Sequence, residues 1–316
     1  MAATNAFSLF TRLCIMKNRS RFLFIFNPAA DKGRAVRKVE RLKTLLAGRS
    51  DAVVMTTSYA GHAGDIARAE AAAYSAMIAC GGDGTLHEVV NAVAGKGVSV
   101  GIVPIGSAND FVKTLYADRQ APSGIEHFFS AAPKEIDLGK IVYGDGEHRL
   151  MINSLGIGFT GRIAQIVQQT RWLKGELLYV YALLKVLFRY EPLKMRLKIT
   201  LAESVLELCE PIFAFSVANG KIEGGKFQLA PSAELSDGLL DLCILKAIPK
   251  RKMLRYVVKY LRGTQVSDPQ VLSCKVKAVE VMLERADVMH VDGEVFEHVG
   301  GYLAISVISQ GISVLR

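Results

Sequence analysis

Three glycines within four residues, Gly81, Gly82 and Gly84, stand with Asp83 and Thr85 between an apolar run, Ala76–Cys80, and a helix-patterned segment, Leu86–Ala94. The apolar run reads as a buried strand, so the glycines mark a strand-to-helix junction. Glycine there permits tight or left-handed turns and lets another molecule approach the backbone. The amides it exposes, together with the N-terminus of the next helix, form a site for phosphate oxygens. Asp83 adds a carboxylate that a phosphate-only site would gain nothing from. Beside phosphates, a carboxylate serves a divalent metal or a proton in transit. An ordinary turn with Asp83 as the helix cap needs only an isolated glycine pair, so the whole string favours function.

Two more loops carry similar chemistry. Asn27-Pro28-Ala29-Ala30-Asp31-Lys32-Gly33-Arg34 is polar and basic and follows the strand-like Phe22–Phe26. Pro104-Ile105-Gly106-Ser107-Ala108-Asn109-Asp110-Phe111 follows Val98–Val103. Singly, each is ordinary turn chemistry. Ligands of open α/β sheets bind beyond the carboxyl ends of the strands, so three such loops converging on one crevice suit a polyphosphate. Farther on, Asp292-Gly293 follows an apolar segment. It reads equally as a hairpin turn or as a carboxylate projected into a cleft. Asp237-Gly238 carries the same ambiguity. Gly156–Gly161 fits a dinucleotide fingerprint but lacks the following βαβ unit, and no Walker A pattern occurs.

The elements that must hold these residues divide in two. From Arg21 to Val103, strands Phe22–Phe26, Ala52–Met55, Ala76–Cys80 and Val98–Val103 alternate with helices Gly33–Ala47, Asp65–Tyr74 and Leu86–Ala94. This order predicts an α/β domain with a doubly wound, mainly parallel sheet over residues 20–133. After Pro133, β-like runs dominate, with helical regions near Thr160–Tyr190 and Lys250–Arg262. They predict a mainly antiparallel β domain over 134–305, with 306–316 available to return to the first. Residues 1–19 are set aside as an N-terminal extension.

Half of the 316 residues are hydrophobic, enough for a large core in about two domains. The longest apolar region, Leu177–Phe188, is interrupted by Lys185 and is too short to span a bilayer. Lys and Arg outnumber Asp and Glu by 39 to 30, giving +9 and favouring acidic partners. The five cysteines show no metal-site spacing and read as reduced core thiols of a cytoplasmic protein.

Asn-Pro…Gly, Gly-Gly-Asp-Gly-Thr, Pro-x-Gly-Ser-Ala-Asn-Asp-Phe, Ala230-Pro231…Ser236-Asp237-Gly238-Leu239-Leu240-Asp241 and Val291-Asp292-Gly293-Glu294 occur in this order. Together they resemble the diacylglycerol kinase catalytic-domain superfamily, in its compact bacterial lipid kinase form, over residues 20–316. His87 stands where Asn is frequent, Ser107 replaces the commoner Thr, and Thr160 stands where Asp is usual. These departures bear on the acceptor lipid more than on the reaction. The resemblance implies ATP contacts from Asn27, Thr57, Gly81, Gly82, Asp83, Gly84, Thr85, Leu86, His87 and Ser107. It implies Asp292 as general base, with Asp83 beside the phosphates as the other catalytic carboxylate. A structural Mg²⁺ would be held by Asp237 and the carbonyls of Glu234 and Leu239. The site would lie between the domains.

The reading is thus an ATP- and Mg²⁺-dependent kinase of a lipid hydroxyl, diacylglycerol or a relative. It works at an anionic membrane surface that the basic, apolar-rich segments Arg171–Lys198 and Lys250–Arg262 would meet. No nucleic acid is expected, and a homodimer stays open. A soluble-substrate kinase such as NAD kinase, and a non-catalytic lipid-binding regulator, are the alternatives. Dependence on vesicles or micelles separates the first, and ATP turnover with lipid extract the second.

Overall fold

The fold is that of a computed structural model, in which residues 21–33, 35–106, 108–122, 124–170, 172–173 and 175–316 are described. The extension 1–19, Cys14 and Ser107 lie outside them. The chain forms two compact units. One comprises residues up to Ile105 with Ile125–Lys134 and Ile312–Arg316, the other Gly106–Gly124 with Glu135–Gly311.

In the first unit, β1 (Phe22–Phe26), β2 (Ala52–Thr56), β3 (Ala76–Gly81) and β4 (Ser99–Pro104) lie parallel in the order β2-β1-β3-β4. Helices α1 (Val36–Leu46), α2 (His62–Glu70) and α3 (Asp83–Val93) make the crossovers. β1 and β3 are interior strands, so they read as unbroken apolar runs. Phe24, Phe26, Ile78 and Cys80 pack against Leu42 and Leu46 of α1. The returning segment 125–134 closes this core through Phe128 and Phe129, whose rings meet Phe22 and Phe24. Gly101 makes room for it, because a Cβ there would lie 2.7 Å from Phe128. The chain's end returns as well, with Val314 parallel to Val100.

The predicted helices are present with shifted ends. α1 follows a 3₁₀ turn, Ala30–Gly33, and α2 begins at His62 and stops at Glu70.

The second unit is built on long antiparallel strands. These are β5 (Pro133–Tyr143), β6 (Glu147–Met151), β7 (Ser154–Gly158), β8 (Leu193–Thr200), β9 (Val205–Ala218), β12 (Leu240–Lys246), β13 (Val271–Val276), β14 (Ala278–Val291) and β15 (Glu294–Leu315). The small hairpin β10 (Ile222–Glu223) and β11 (Phe227–Gln228) stands apart. β9 pairs with β7, β8 and β12, and β14 pairs with β7, β8 and β15. One core lies among the strands, around Leu155, Ile157, Phe215 and Met289. A second lies where α5 (Phe159–Gln169), α6 (Gly175–Arg189) and α7 (Lys250–Arg262) cover the sheet around Phe159, Phe213 and Tyr256. Each fully buried side chain of this size stabilises by about 1.5–3 kcal/mol. The short α4 (Asp110–Leu115) also belongs to this unit.

The expected helical region Thr160–Tyr190 comprises two helices, α5 and α6. One expectation needs correction. The cysteines are free among the described residues, but Cys209 is exposed on β9 and so is no core thiol.

Candidate active site

Phe26 is level with Thr56 and Cys80, and Gly81 with Pro104, so the chain leaves all four parallel strands at one edge. The ladder runs one residue further. Asn27 N–H donates to the Cys80 carbonyl at 2.9 Å, Thr57 N–H to Phe26 at 2.9 Å, and Ile105 N–H to Gly81 at 2.7 Å. These bonds fix Asn27, the buried Thr57 and the glycine turn together at the edge where a parallel sheet binds ligands.

The glycine turn is tighter than expected. α3 starts at Asp83, not Leu86, because Gly82 and Gly84 hide the helix start from any periodicity argument. Gly82 is the N-cap, with φ −102° and no capping side chain, so Asp83 sits in the first turn instead of capping. Gly84 is helical, and none of the three has a positive φ, so of the tight or left-handed turns that glycine permits the tight one is formed. Close approach is what requires Gly81: a Cβ there would lie 2.6 Å from Thr85 Cβ. The Thr85 hydroxyl in turn accepts from Asn27 Nδ2 at 3.0 Å, tying the β1 loop to the first turn of α3. That turn aims amides and the positive end of the helix dipole past the sheet edge, with the Asp83 carboxylate beside them. Leu86 and His87 are buried beneath it.

Sequence reasoning passed over Glu88. Its carboxylate accepts from the N–H groups of Gly61, Ala63 and Gly64 at 2.9–3.3 Å, capping α2 from the adjacent helix α3. A cap 27 residues away leaves no local signature. Glu88→Ala is expected to cost about 1–3 kcal/mol, read as a lower denaturation midpoint at unchanged slope.

In the second unit, Asp292 closes the hairpin between β14 and β15. Val291 pairs with Glu294, and Asp292 and Gly293 both have positive φ, 51° and 88°. Asp292-Gly293 is therefore the hairpin turn, and its carboxylate is buried. Oδ1 accepts from Asn153 N–H at 2.8 Å and Ser154 N–H at 3.0 Å, and Oδ2 from Ile152 N–H at 3.0 Å.

Near it lies a pair the sequence did not disclose. His290, level with Gly156 on β7, is buried with Nε2 3.3 Å from Glu223 Oε1 of β10. Burial by itself would lower the His290 pKa, but the charges of Glu223 and Asp292 outweigh it and the net shift is upward. For Glu223, burial pulls upward and His290 with the Ser154 hydroxyl pulls downward more strongly. A raised histidine stabilises below its ordinary value and loses this as pH rises through the raised one. A lowered carboxylate stabilises above its ordinary value and loses this as pH falls through the lowered one. The pair therefore contributes most between about 4.5 and 6.5. His290→Gln should show its largest melting-temperature deficit in that window, shrinking above neutrality. A deficit independent of pH would reduce the pair to neutral packing.

Asp110 opens α4 after Asn109, which is left-handed at φ 50° and donates from Nδ2 to the Gly106 carbonyl at 2.8 Å. The buried Asp110 carboxylate holds Gly225 N–H at 2.9 Å and Lys113 at 3.2 Å. Burial raises its pKa against the opposing charge of Lys113.

The segment Glu234–Leu239 is pinned by buried Asp137, whose oxygens accept from Gly238 N–H at 2.7 Å and Gln310 N–H at 2.9 Å. Asp237 Oδ1 accepts from Leu239 N–H at 3.0 Å, and Oδ2 pairs with the Lys275 ammonium. Among the described residues no group of three or more His, Cys, Asp or Glu is placed to hold a metal. Burial, then the neighbouring charges of Asp237 and Glu234, pushes the Asp241 carboxyl up to about 6 against the pull of Lys275 and Ser232.

The fingerprint at Gly156–Gly161 is packing. β7 runs antiparallel to both neighbours, and Cβ atoms at Gly156 and Gly158, and at Gly161 on α5, would strike His290, Tyr190 and the Val288 carbonyl respectively.

The chain matches the diacylglycerol kinase catalytic domain over residues 21–141 and the YegS C-terminal NAD kinase beta sandwich-like domain over 153–316. It belongs to the diacylglycerol kinase and YegS-like lipid kinase family. A YegS-like lipid kinase of Chromohalobacter salexigens is 30% identical over 72% of this chain and 71% of its own length. A diacylglycerol kinase of Bacillus subtilis is 28% identical over 87% and 89%. A crystal structure of a diacylglycerol kinase from Bacillus anthracis shares the fold, with a TM-score of 0.67 at 21% identity, over 94% of this chain and 97% of that one. The chain is accordingly an enzyme, a kinase of the diacylglycerol kinase type.

Proposed function

We propose that the enzyme transfers the γ-phosphoryl group of ATP to a lipid hydroxyl, with diacylglycerol the first candidate acceptor. The observation that carries this is the Gly81–Thr85 turn at the parallel-sheet edge, where the helix starts at Asp83 with its first-turn amides beside a carboxylate. The names of the relatives supply the acceptor class.

Phosphoryl transfer needs positioning and charge neutralisation more than covalent chemistry. The amides of Gly82–Thr85 would bind phosphate oxygens, with Asn27 and Thr57 bounding the nucleotide and Ser107 as a further contact. Asp292 would take the acceptor's proton as its oxygen attacks. Three backbone amides hold that carboxylate in one orientation, which a general base needs.

Mg²⁺ prefers oxygen donors. Asp237 with the Glu234 and Leu239 carbonyls is such a set, and the crowded Glu234, Asp237 and Asp241 carboxylates have one ammonium, Lys275, among them. A structural Mg²⁺ held there would displace the Lys275 ammonium from Asp237 and brace the 234–239 segment. A second, beside Asp83, would supply charge neutralisation at the phosphates.

Radiolabelled ATP offered with a panel of lipid classes in mixed micelles tests the reading. Label should enter one class of lipid hydroxyl, stop on chelation and return with Mg²⁺. Label entering NAD without any lipid would overturn it. Mg²⁺ should also raise the melting temperature of the wild type by several degrees and leave Asp237→Ala unmoved.

A further inference from the structure

We propose that the outer faces of α6 and α7 form one docking surface for an anionic lipid bilayer. The inference deepens the lipid-acceptor reading and rests on it for its purpose, though the surface stands on its own observations.

α6 is apolar on both sides. Leu178, Ala182, Leu183, Val186 and Leu187 are buried inward. Facing away, Leu177, Val180, Leu184 and Phe188 recur every three or four residues as one exposed stripe, with Leu177 70% and Phe188 75% exposed. Trp172, 72% exposed just before the helix, packs its ring edge-on to Tyr181 at 5.4 Å. A core explains the first set and leaves the second without a reason. Scattered exposed apolar residues are normal, but an ordered stripe with a tryptophan at its head marks an interaction site.

α7 repeats the arrangement. Met253 and Tyr256 face in, while Leu254, Val258 and Leu261 face out at intervals of four and three residues. The helix carries six basic residues and no acidic one. Arg251, Lys252, Arg255 and Arg262 are exposed alongside the stripe. Lys259 is engaged by Asp268. The two helices meet where Lys250 Nζ donates to the Phe188 carbonyl at 3.1 Å, bringing the end of one stripe to the start of the other. Lys185 and Arg189 extend the basic border along α6.

Charge complementarity selects the occupant. A second copy would bring the same basic helix against this one and repel it. An anionic bilayer takes leucine, phenylalanine and tryptophan into the headgroup–acyl boundary while its phosphates meet the arginines and lysines. No helix among the described residues is long and apolar enough to cross a membrane, so this contact lies on the surface.

The test is co-sedimentation of the full chain with vesicles of phosphatidylcholine and phosphatidylglycerol, about three to one, against phosphatidylcholine alone. Two variants alter only exposed positions: Leu177→Ser with Phe188→Ser, and Arg251→Glu with Lys252→Glu and Arg255→Glu. A control, Lys38→Glu with Arg41→Glu, alters exposed cations of α1. Partition onto the mixed vesicles should fall about tenfold or more in each α6 or α7 variant and stay within about twofold in the control. Turnover of a short-chain acceptor dissolved as monomers should stay within about twofold throughout. Unchanged partition of the variants, or equal binding of wild type to neutral vesicles, would overturn the proposal. So would a wild-type dimer in vesicle-free sedimentation velocity that the same substitutions dissociate, since the face would then belong to a second copy. If the wild type binds vesicles but phosphorylates no lipid, the acceptor reading fails and the docking surface survives.

Discussion

Gly82→Asp should abolish useful ATP binding while leaving the fold intact. Gly82 is the N-cap of α3 in an extended conformation that any residue adopts, and aspartate is among the best N-cap residues. Helix stability should therefore hold or rise by a few tenths of a kcal/mol. The same carboxylate would stand where the phosphates are proposed to lie. Two unit charges about 4 Å apart at a protein surface repel by about 4 kcal/mol, which corresponds to an affinity loss of about 10² to 10³. Calorimetry should show ATP binding weakened by that factor beside an unchanged or slightly higher melting temperature. Unchanged affinity would remove the turn from the phosphate site. Gly81→Ala makes the contrast, because its methyl would collide with Thr85 and both stability and binding should fall.

Asp292→Asn should lower kcat by about 10² or more with little change in the ATP constant, since an amide cannot take the acceptor's proton. A conservative swap would ordinarily keep the shape. Here it does so only in part. Asn Oδ1 can still accept from Asn153 and Ser154, but its amide nitrogen would face the Ile152 N–H that Oδ2 now satisfies. A loss of about 1–3 kcal/mol of stability should accompany the loss of turnover. Asparagine tolerates the left-handed backbone at φ 51°, so the hairpin itself should form. Kinetics and melting on one preparation separate the roles. If stability drops and kcat is retained, Asp292 is a brace for residues 152–154, and the base must be sought at Asp83.

Regular elements were legible where burial is uniform or alternates along one strand. Phe22–Phe26 and Ala76–Cys80 announce interior parallel strands by unbroken apolar runs, and the βαβα order followed from them. The helix start at Asp83 was not legible, because glycines at 82 and 84 erase the pattern on which periodicity depends. The break between α5 and α6 was likewise concealed, since both helices are apolar enough to read as one region.

Chemistry divides along the same line. The sequence by itself determined which residue types stand at strand ends: the glycines with Asp83, the Asn27 loop, and the Asp-Gly pairs at 237 and 292. Local turn chemistry and strand order are properties of neighbours in the chain. Only the tertiary structure decided what those groups touch. Glu88 caps a helix that begins 26 residues earlier, Asp137 pins the 234–239 segment, and Glu223 meets His290 across 67 positions. Such contacts are set by how strands stack and pair, and the spacing along the chain holds no trace of them. The exposed side of α6 belongs with these. The mix of apolar and basic residues over Arg171–Lys198 suggests a membrane-facing surface, but only packing shows which side of the helix is left uncovered.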